Sequence, residues 1–568
     1  MLGTVVGKIP TGRYRDVIDR FLNGMIIDRI LAGAVFDNES CAFLYFIAFS
    51  WSPLRILYLE GTILKEQDVV SLDSGQQTID QTTQLESDHG VKRSLKTRHV
   101  SMIALGGSIG TGLFVASGSA ISTAGPGGAL LAYAGIGLMV FFLMTSLGEM
   151  ATYLPVTGSF ATYARRFVDP AMGFAMGWNY WFNWAITLAV DISTVGLVFK
   201  FWFPHVPSWT FSLGALVIIF LINALSVNSF GETEYWMALI KVVTVLIFLA
   251  VGFLTIFGIM SGHATLLENF VYKKAPFVGG IPSILSVFVV AGFSFQGTEL
   301  IGITAGESED PEKSIPKAIK QVFWRIILFY ILAIFVIAAL IPYTSPNLLG
   351  SDAADVAISP FTLVFRRAGL AGAAGVMNAV ILTSVMSAAN SGMYASTRML
   401  FSLGVTGDAP KIFSRVNGRG IPMPALIGTA AIGLLTFATS IFGDRIYTFL
   451  VSASGLSGFI AWVGIALSHY RFRRAFKAQG HELSELRYHA KWFPFGPLLA
   501  LVLCILVIIG QDLHSFASFD WQAILFSYMS IPLFLVLFIY YKVRHKTHLI
   551  PLEEVDLTPH KVKVEKKD

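Results

Sequence analysis

From residue 100 onward, long apolar stretches alternate with short polar ones, and most charged residues crowd into the short ones. A hydrocarbon core about 30 Å thick takes about 20 mostly apolar helical residues per crossing. By that rule the pattern predicts about twelve membrane-spanning helices. Their expected limits are 101–124, 127–153, 172–203, 209–225, 236–261, 281–303, 319–343, 371–399, 424–441, 446–470, 495–514 and 520–541. Basic residues in the connecting segments set the orientation. One side collects Lys92 to Arg98, Arg165 and Arg166, then Lys313, Lys317 and Lys320, then Arg398, Lys411, Arg415 and Arg419. The 471–491 stretch and the segment after 541 add more, whereas the other side holds Lys200, Lys273, Lys274, Arg366, Arg367 and Arg445. The basic side is expected to be cytoplasmic, with both termini inside.

Residues 1–90 do not continue this pattern. Cys41–Leu54 is apolar but short for a span and is closely followed by Arg55, and residues 65–90 are polar, a composition that favours disorder. The stretch has no convincing secretory signal. It is expected to be an N-terminal extension outside the core. The chain then divides into a core at 91–470, a loop with two further spans at 471–545, and a cytoplasmic tail at 546–568.

Composition agrees with the pattern. Of 568 residues 54% are hydrophobic and 14% charged, with mean hydropathy +0.65, too little charge for the surface of a soluble domain. The net charge of +5 comes without blocks of basic and aromatic residues, so no nucleic-acid surface is expected. Two cysteines, Cys41 and Cys504, exclude a disulfide framework and a cysteine-rich metal site. No cofactor is expected. The chain has no P-loop of the form GxxxxGK[ST], no HExxH, and no nucleophile–base pattern, so an enzyme is not expected.

Two of the apolar runs are interrupted. The first contains Ser108-Ile109-Gly110-Thr111-Gly112 behind Gly106 and Gly107. Each glycine disfavours helix by roughly 0.5–1 kcal/mol. The run is either a small-residue packing seam or an unwound segment whose free N–H groups, at the positive end of a helix dipole, hold a carboxylate. The sixth span carries Gly292-Phe293-Ser294-Phe295-Gln296-Gly297-Thr298-Glu299, polar and acidic at membrane depth. Breaks in spans one and six are what a five-plus-five inverted repeat places together at the bilayer midplane.

Several motifs carry a resemblance. They include Ala124–Ala129 (AGPGGA), Gly148–Phe160 (GEMATYLPVTGSF), Gly177–Ala185 (GWNYWFNWA), Phe230–Val242 (FGETEYWMALIKV), Gly292–Pro311 (GFSFQGTELIGITAGESEDP) and Ala388–Leu400 (AANSGMYASTRML). Over about residues 91–550 the chain resembles the amino acid–polyamine–organocation transporters, most closely their bacterial lysine-specific branch. The resemblance implies an all-α integral membrane protein with the LeuT-like inverted-repeat fold, discontinuous helices 1 and 6, and two extra C-terminal helices. It also implies a multi-pass protein of the bacterial inner membrane that imports lysine or a related cation with protons.

The same resemblance places substrate among spans one, three, six and eight. The backbone of Ser108, Ile109, Gly110, Thr111 and Gly112 would hold the α-carboxylate, and carbonyls near Phe295, Gln296 and Gly297, beside Thr298, would face the α-ammonium. Glu299 is a carboxylate at membrane depth, which is costly without a cavity or a partner; it either pairs with substrate or carries the coupling proton. Lys241 reads as a lysine snorkelling from the fifth span or, by the resemblance, as a fixed charge where other members hold sodium. Tyr180 and Trp184, one turn apart, are packing aromatics or a cation–π surface for substrate. Glu307 is expected as a gate, a basic-side-chain partner or an exposed salt bridge. Asp352 and Asp355 are solvated loop acids, an attractor for cations, or a contact for a regulatory partner protein. Glu149 and Asp191 are intramembrane acids without an assigned role, and Ser387 and Asn390 are weaker path-lining candidates. A cationic amino acid exchanger and a permease-like sensor are the alternatives.

Overall fold

The computed structural model describes residues 93–558, apart from 108, 115, 261, 350–358, 371 and 438–443. The expectations for residues 1–90, Ser108, Asp352 and Asp355 lie outside the described residues. What is described is helical, and its only extended pairing is an isolated bridge between Leu95 and Ser308.

The first predicted span is broken. It forms α1 (Thr97–Gly106) and α2 (Thr111–Phe114), then runs into α3 (Ser117–Tyr153). The expected boundary between spans one and two falls inside α3 at Gly125, whose φ of 77° belongs to the left-handed region that glycine enters freely. There the chain accepts a plug from the 272–279 loop, with Gly127 N donating to Pro276 O and Val278 N to Ala124 O. After α4 (Ser159–Phe167), α5 (Pro170–Phe199) starts with Pro170 in its first turn, and Asp169 accepts from Ala171 N at 2.8 Å. Buried along nearly its whole length, α5 packs on several other helices.

α6 (Ser208–Leu225) leads into α7 (Val227–Ile256), which inverts the pattern of a soluble amphipathic helix. Its exposed stripe is apolar: Trp236, Ile240, Val243 and Ile247. Its buried stripe runs Glu234, Ala238, Lys241, Val245, Phe248. Charges at spacing i, i+7 therefore share the inner face, as expected where the outer face meets lipid.

The sixth predicted span is also broken, into α8 (Gly280–Phe295) and α9 (Leu300–Thr304). α10 (Pro311–Arg325) continues through a π-helical turn at Ile326–Ile331 into α11 (Leu332–Leu340). The remaining helices of eight residues or more are α12 (Pro360–Arg367), α13 (Ala373–Val405), α14 (Met423–Gly433), α15 (Asp444–Ala478), α16 (Phe495–Gly510), α17 (Trp521–Tyr528) and α18 (Ser530–His545). The expected boundary at 470 falls inside α15. The tail packs back on the bundle, with Ile550 N donating to Val168 O at 3.0 Å and Arg166 paired with Asp556.

Among the described residues, seven helical segments are long and apolar enough to cross a membrane, and α17 with α18, bent by 63°, makes an eighth. The protein is thus a multi-pass α-helical membrane protein. α13 has 33 residues but carries buried Ser384, Ser387, Asn390 and Ser391 along its length. Its face is turned to protein rather than lipid.

Candidate functional site

The two breaks meet. Gly112 has no room for a side chain, because a Cβ there would lie 2.5 Å from Ser294 Cα of α8. One at Gly110 would lie 3.1 Å from Ala388 Cβ of α13. Thr111 donates to Asp191 of α5 at 2.9 Å. Segments from predicted spans three, six and eight therefore surround Ile109–Gly112 of span one. The first turn of α2 leaves amide groups outside the helical ladder, as any helix start does.

The other end of the first break carries carbonyls, and buried cations hold them. Lys241 Nζ donates to Gly106 O at 2.8 Å, and the Arg325 guanidinium donates to Ala104 O. Both side chains are fully buried. A cation at the carbonyl end of a helix is favoured by the dipole. The snorkelling reading of Lys241 is corrected: its stem runs inward along the buried stripe of α7, not out to the interface. Asp191 and Glu234 lie close enough to act on its charge, and Asp191 Oδ2 has no hydrogen-bond partner.

The second break is built around Glu299. Its carboxylate accepts from Tyr180 Oη at 3.1 Å, Trp462 Nε1 at 3.2 Å and Gly297 N at 3.2 Å. Trp462 Nε1 and Gly297 N can only donate, and the carboxylate accepts from them. Gly297 has φ 93°, a conformation that side chains rarely adopt, and this lets the chain fold its amide back onto Glu299. Thr298 Oγ1 donates to Phe295 O at 2.5 Å and accepts from Arg325 Nη2 at 2.6 Å. Gln296 reaches α15, donating to Gly455 O at 2.9 Å. Tyr180 sits edge-on to Phe160 and Trp184, with ring centroids 4.5 and 6.1 Å away.

Arg325 thus links the two broken helices, and the sequence reading passed over it. The available signal was its depth, six residues into the run predicted at 319–343, where a charge marks function by default. Arg325→Met is expected to lower the maximal uptake rate about tenfold or more, while the variant still elutes as a folded monodisperse species. Arg325→Lys keeps the charge but loses the planar fork and should recover only part. Uptake kinetics beside size-exclusion chromatography check both.

Glu234 was also overlooked, although it lies in a motif noted above. It accepts from Ser387 Oγ at 2.5 Å and Asn390 Nδ2 at 3.3 Å, and Asn390 Oδ1 accepts from Asn223 at 2.8 Å. Ser387 and Asn390, expected along a path, are buried and donate to this carboxylate.

Glu307 is not in an exposed salt bridge. It is fully buried, accepting from Arg398 Nε at 2.5 Å and Tyr394 Oη at 2.8 Å. Arg398, counted above among the loop charges, belongs to this internal pair because helix α13 extends past it. Glu149 likewise bridges helices, accepting from Arg473 Nε and Ala490 N at 2.6 Å each. Removing one partner of a buried pair typically costs about 3–5 kcal/mol, whereas replacing both with apolar groups is often near neutral. Arg398→Met should therefore lower the unfolding temperature in detergent markedly, and Glu307→Leu/Arg398→Met should recover most of the loss. A calorimetric or fluorescence melt decides it.

Comparison with known proteins adds to this geometry. The amino acid permease family profile matches residues 99–551. The lysine-specific permease of Lactococcus lactis subsp. cremoris is 62% identical over 477 residues, covering 83% of this chain and 94% of the relative. The histidine permease of the same organism is 57% identical over 478 residues, covering 84% and 100%. The lysine-specific permease of Escherichia coli is 55% identical over 470 residues, covering 82% and 96%.

Proposed function

We propose, from the premise that this chain belongs to the amino acid permease family and is a transporter rather than an enzyme, that it imports lysine together with a proton. The observation carrying this reading is the meeting of the two helix breaks, the carbonyl end of the first held by buried cations and the second built around a carboxylate. In the proposed cycle the amides of Gly110–Gly112 take the α-carboxylate, the Ile109 amide being already bonded to Gly106 O at 3.0 Å, and the backbone at Phe295–Gly297 takes the α-ammonium. Glu299 keeps the second break folded and supplies negative potential toward a cationic substrate. Lys241 is the proton-coupling group, its charge locking the carbonyl end of α1 and its loss releasing it. Tyr180 and Trp184 form the aromatic wall.

The paired breaks support a five-plus-five inverted repeat with about twelve spans, and hence alternating access around a fixed midplane site. The basic residues support cytoplasmic termini, and the bacterial relatives support an inner-membrane location. Substrate choice rests on relatives named for lysine and for histidine, so those two amino acids are the comparison that matters.

The test is uptake of labelled lysine into proteoliposomes under imposed pH and voltage gradients, with arginine, ornithine and histidine as competitors. Concentrative lysine uptake without internal amino acid is the expected result. Uptake only against preloaded substrate would make the protein an exchanger, and tight binding with no flux would make it a sensor.

A further inference from the structure

A second site lies away from the helix breaks, at the end of the bundle that carries most of the loop cations. The C-terminal end of α15, the loop after it and Leu552 of the tail line a half-open cavity of about 1010 Å³. Its lining includes Arg473, Arg474, Lys477, His481, His489 and Lys491, and among the described residues no carboxylate lines it. Arg473 is neutralised by Glu149, and His481 by Glu485 when protonated. Arg474, Lys477 and Lys491 remain, all solvent-exposed, and none forms an ion pair among the described residues. Three cations without an ion-pair partner around one concavity give it a positive potential that favours an anion.

The position of the cavity identifies the anion. Lys491, Phe493 and Pro494 of its wall lead directly into α16. That helix exposes Phe495, Leu498, Val502, Ile505 and Ile509 at helical spacing, a stripe that faces lipid. Trp492, 60% exposed, stands immediately before the stripe, where indoles anchor at the membrane interface. Lys491 therefore lies one turn before the apolar stripe of α16, and Arg474 and Lys477 lie in the last turns of the apolar segment of α15 that ends at Ala478, which puts the three cations at headgroup depth. Basic pockets between helices at that depth suit phosphate-bearing lipid headgroups.

We propose that this cavity binds the phosphate-bearing headgroup of an anionic membrane lipid, with Arg474, Lys477 and Lys491 contacting the phosphate and the acyl chains lying along α16. The site is separate from the transport path and needs only that the protein spans a bilayer.

The full chain would be reconstituted in nanodiscs of phosphatidylcholine with a minor fraction of phosphatidylglycerol, and the lipid retained after extraction counted by native mass spectrometry. Wild type is expected to retain phosphatidylglycerol preferentially, and Arg474→Gln/Lys477→Gln/Lys491→Gln to retain about fivefold less, or lower still. The milder Lys477→Gln/Lys491→Gln variant should fall between them. Lys411→Gln/Arg415→Gln/Arg419→Gln, which removes exposed cations elsewhere, should retain it as wild type does. Equal retention by wild type and the cavity variants would overturn the site, as would equal loss in the control variant. In a parallel arm, thermal protection of detergent-solubilised protein by inorganic phosphate alone, equal to that by phosphatidylglycerol, would overturn the lipid as the source.

Discussion

Lys241→Met is expected to uncouple uptake from the proton gradient. One charge moving through about 100 mV is worth roughly 2.3 kcal/mol, about fiftyfold in concentration. A lysine cation carried with one proton moves two charges, for roughly 4.6 kcal/mol and an accumulation on the order of a thousandfold before any pH gradient is added. If Lys241 is the coupling group, its replacement leaves at most the single-charge limit of about fiftyfold, and an inward acid gradient adds nothing. Wild type should gain about tenfold in limiting accumulation per pH unit, since one unit is worth about 1.36 kcal/mol per proton. The physical basis is the contact of Nζ with Gly106 O at 2.8 Å. Methionine fills a comparable volume but cannot hold the carbonyl end of α1, and it leaves Asp191 and Glu234 without their shared cation. Proteoliposome accumulation ratios at several imposed pH gradients measure this directly. A variant that still gained tenfold per pH unit would remove Lys241 from coupling.

Glu299→Gln is expected to reduce the maximal rate of uptake by about tenfold to a hundredfold, because two distinct losses coincide. The amide cannot accept at both ends, so at least one of the Tyr180, Trp462 and Gly297 donors is left unsatisfied in a buried site, at about 1–3 kcal/mol. The negative potential facing a cationic substrate also disappears. The pH profile separates the roles. Surrounded by donors, Glu299 is expected to act as a fixed acceptor, so residual uptake in Glu299→Gln should keep its dependence on the proton gradient while Lys241→Met loses it. If instead Glu299→Gln abolishes that dependence, Glu299 carries the proton. Full uptake with an unchanged pH profile would exclude it from the mechanism.

How much of this was legible in the sequence depended on whether a residue disturbed a local pattern. The breaks were visible because Gly106, Gly107, Gly110 and Gly112 cluster in one apolar run and Gln296–Glu299 interrupts another. Glu299 and Lys241 stood out as lone charges. Glu234 was harder to see because it neighbours Glu232 near the start of α7, and only the three-dimensional stripe shows it sharing a face with Lys241. Arg325 falls inside the predicted seventh span, but so soon after Lys313, Lys317 and Lys320 that it does not stand out as a lone charge. Arg398 was assigned to a loop because the predicted end of span eight fell beside it, although α13 continues to Val405. Trp462 gave no signal at all, since an indole in an apolar helix is ordinary until its N–H is found on a carboxylate. The docking of the tail at Ile550 and Asp556 is long-range and had no local marker.

Backbone at the two breaks gripping the amino acid is the proposal on which transport rests. Its most direct test is a cryo-electron microscopy structure of the full chain in lipid nanodiscs with saturating lysine. Density is expected between the breaks, its carboxylate against the amides of Gly110–Gly112 and its α-ammonium against the carbonyls around Phe295–Gly297. Lysine bound elsewhere, or continuous helices through Gly110 and Gly297 with no cavity between them, would contradict it.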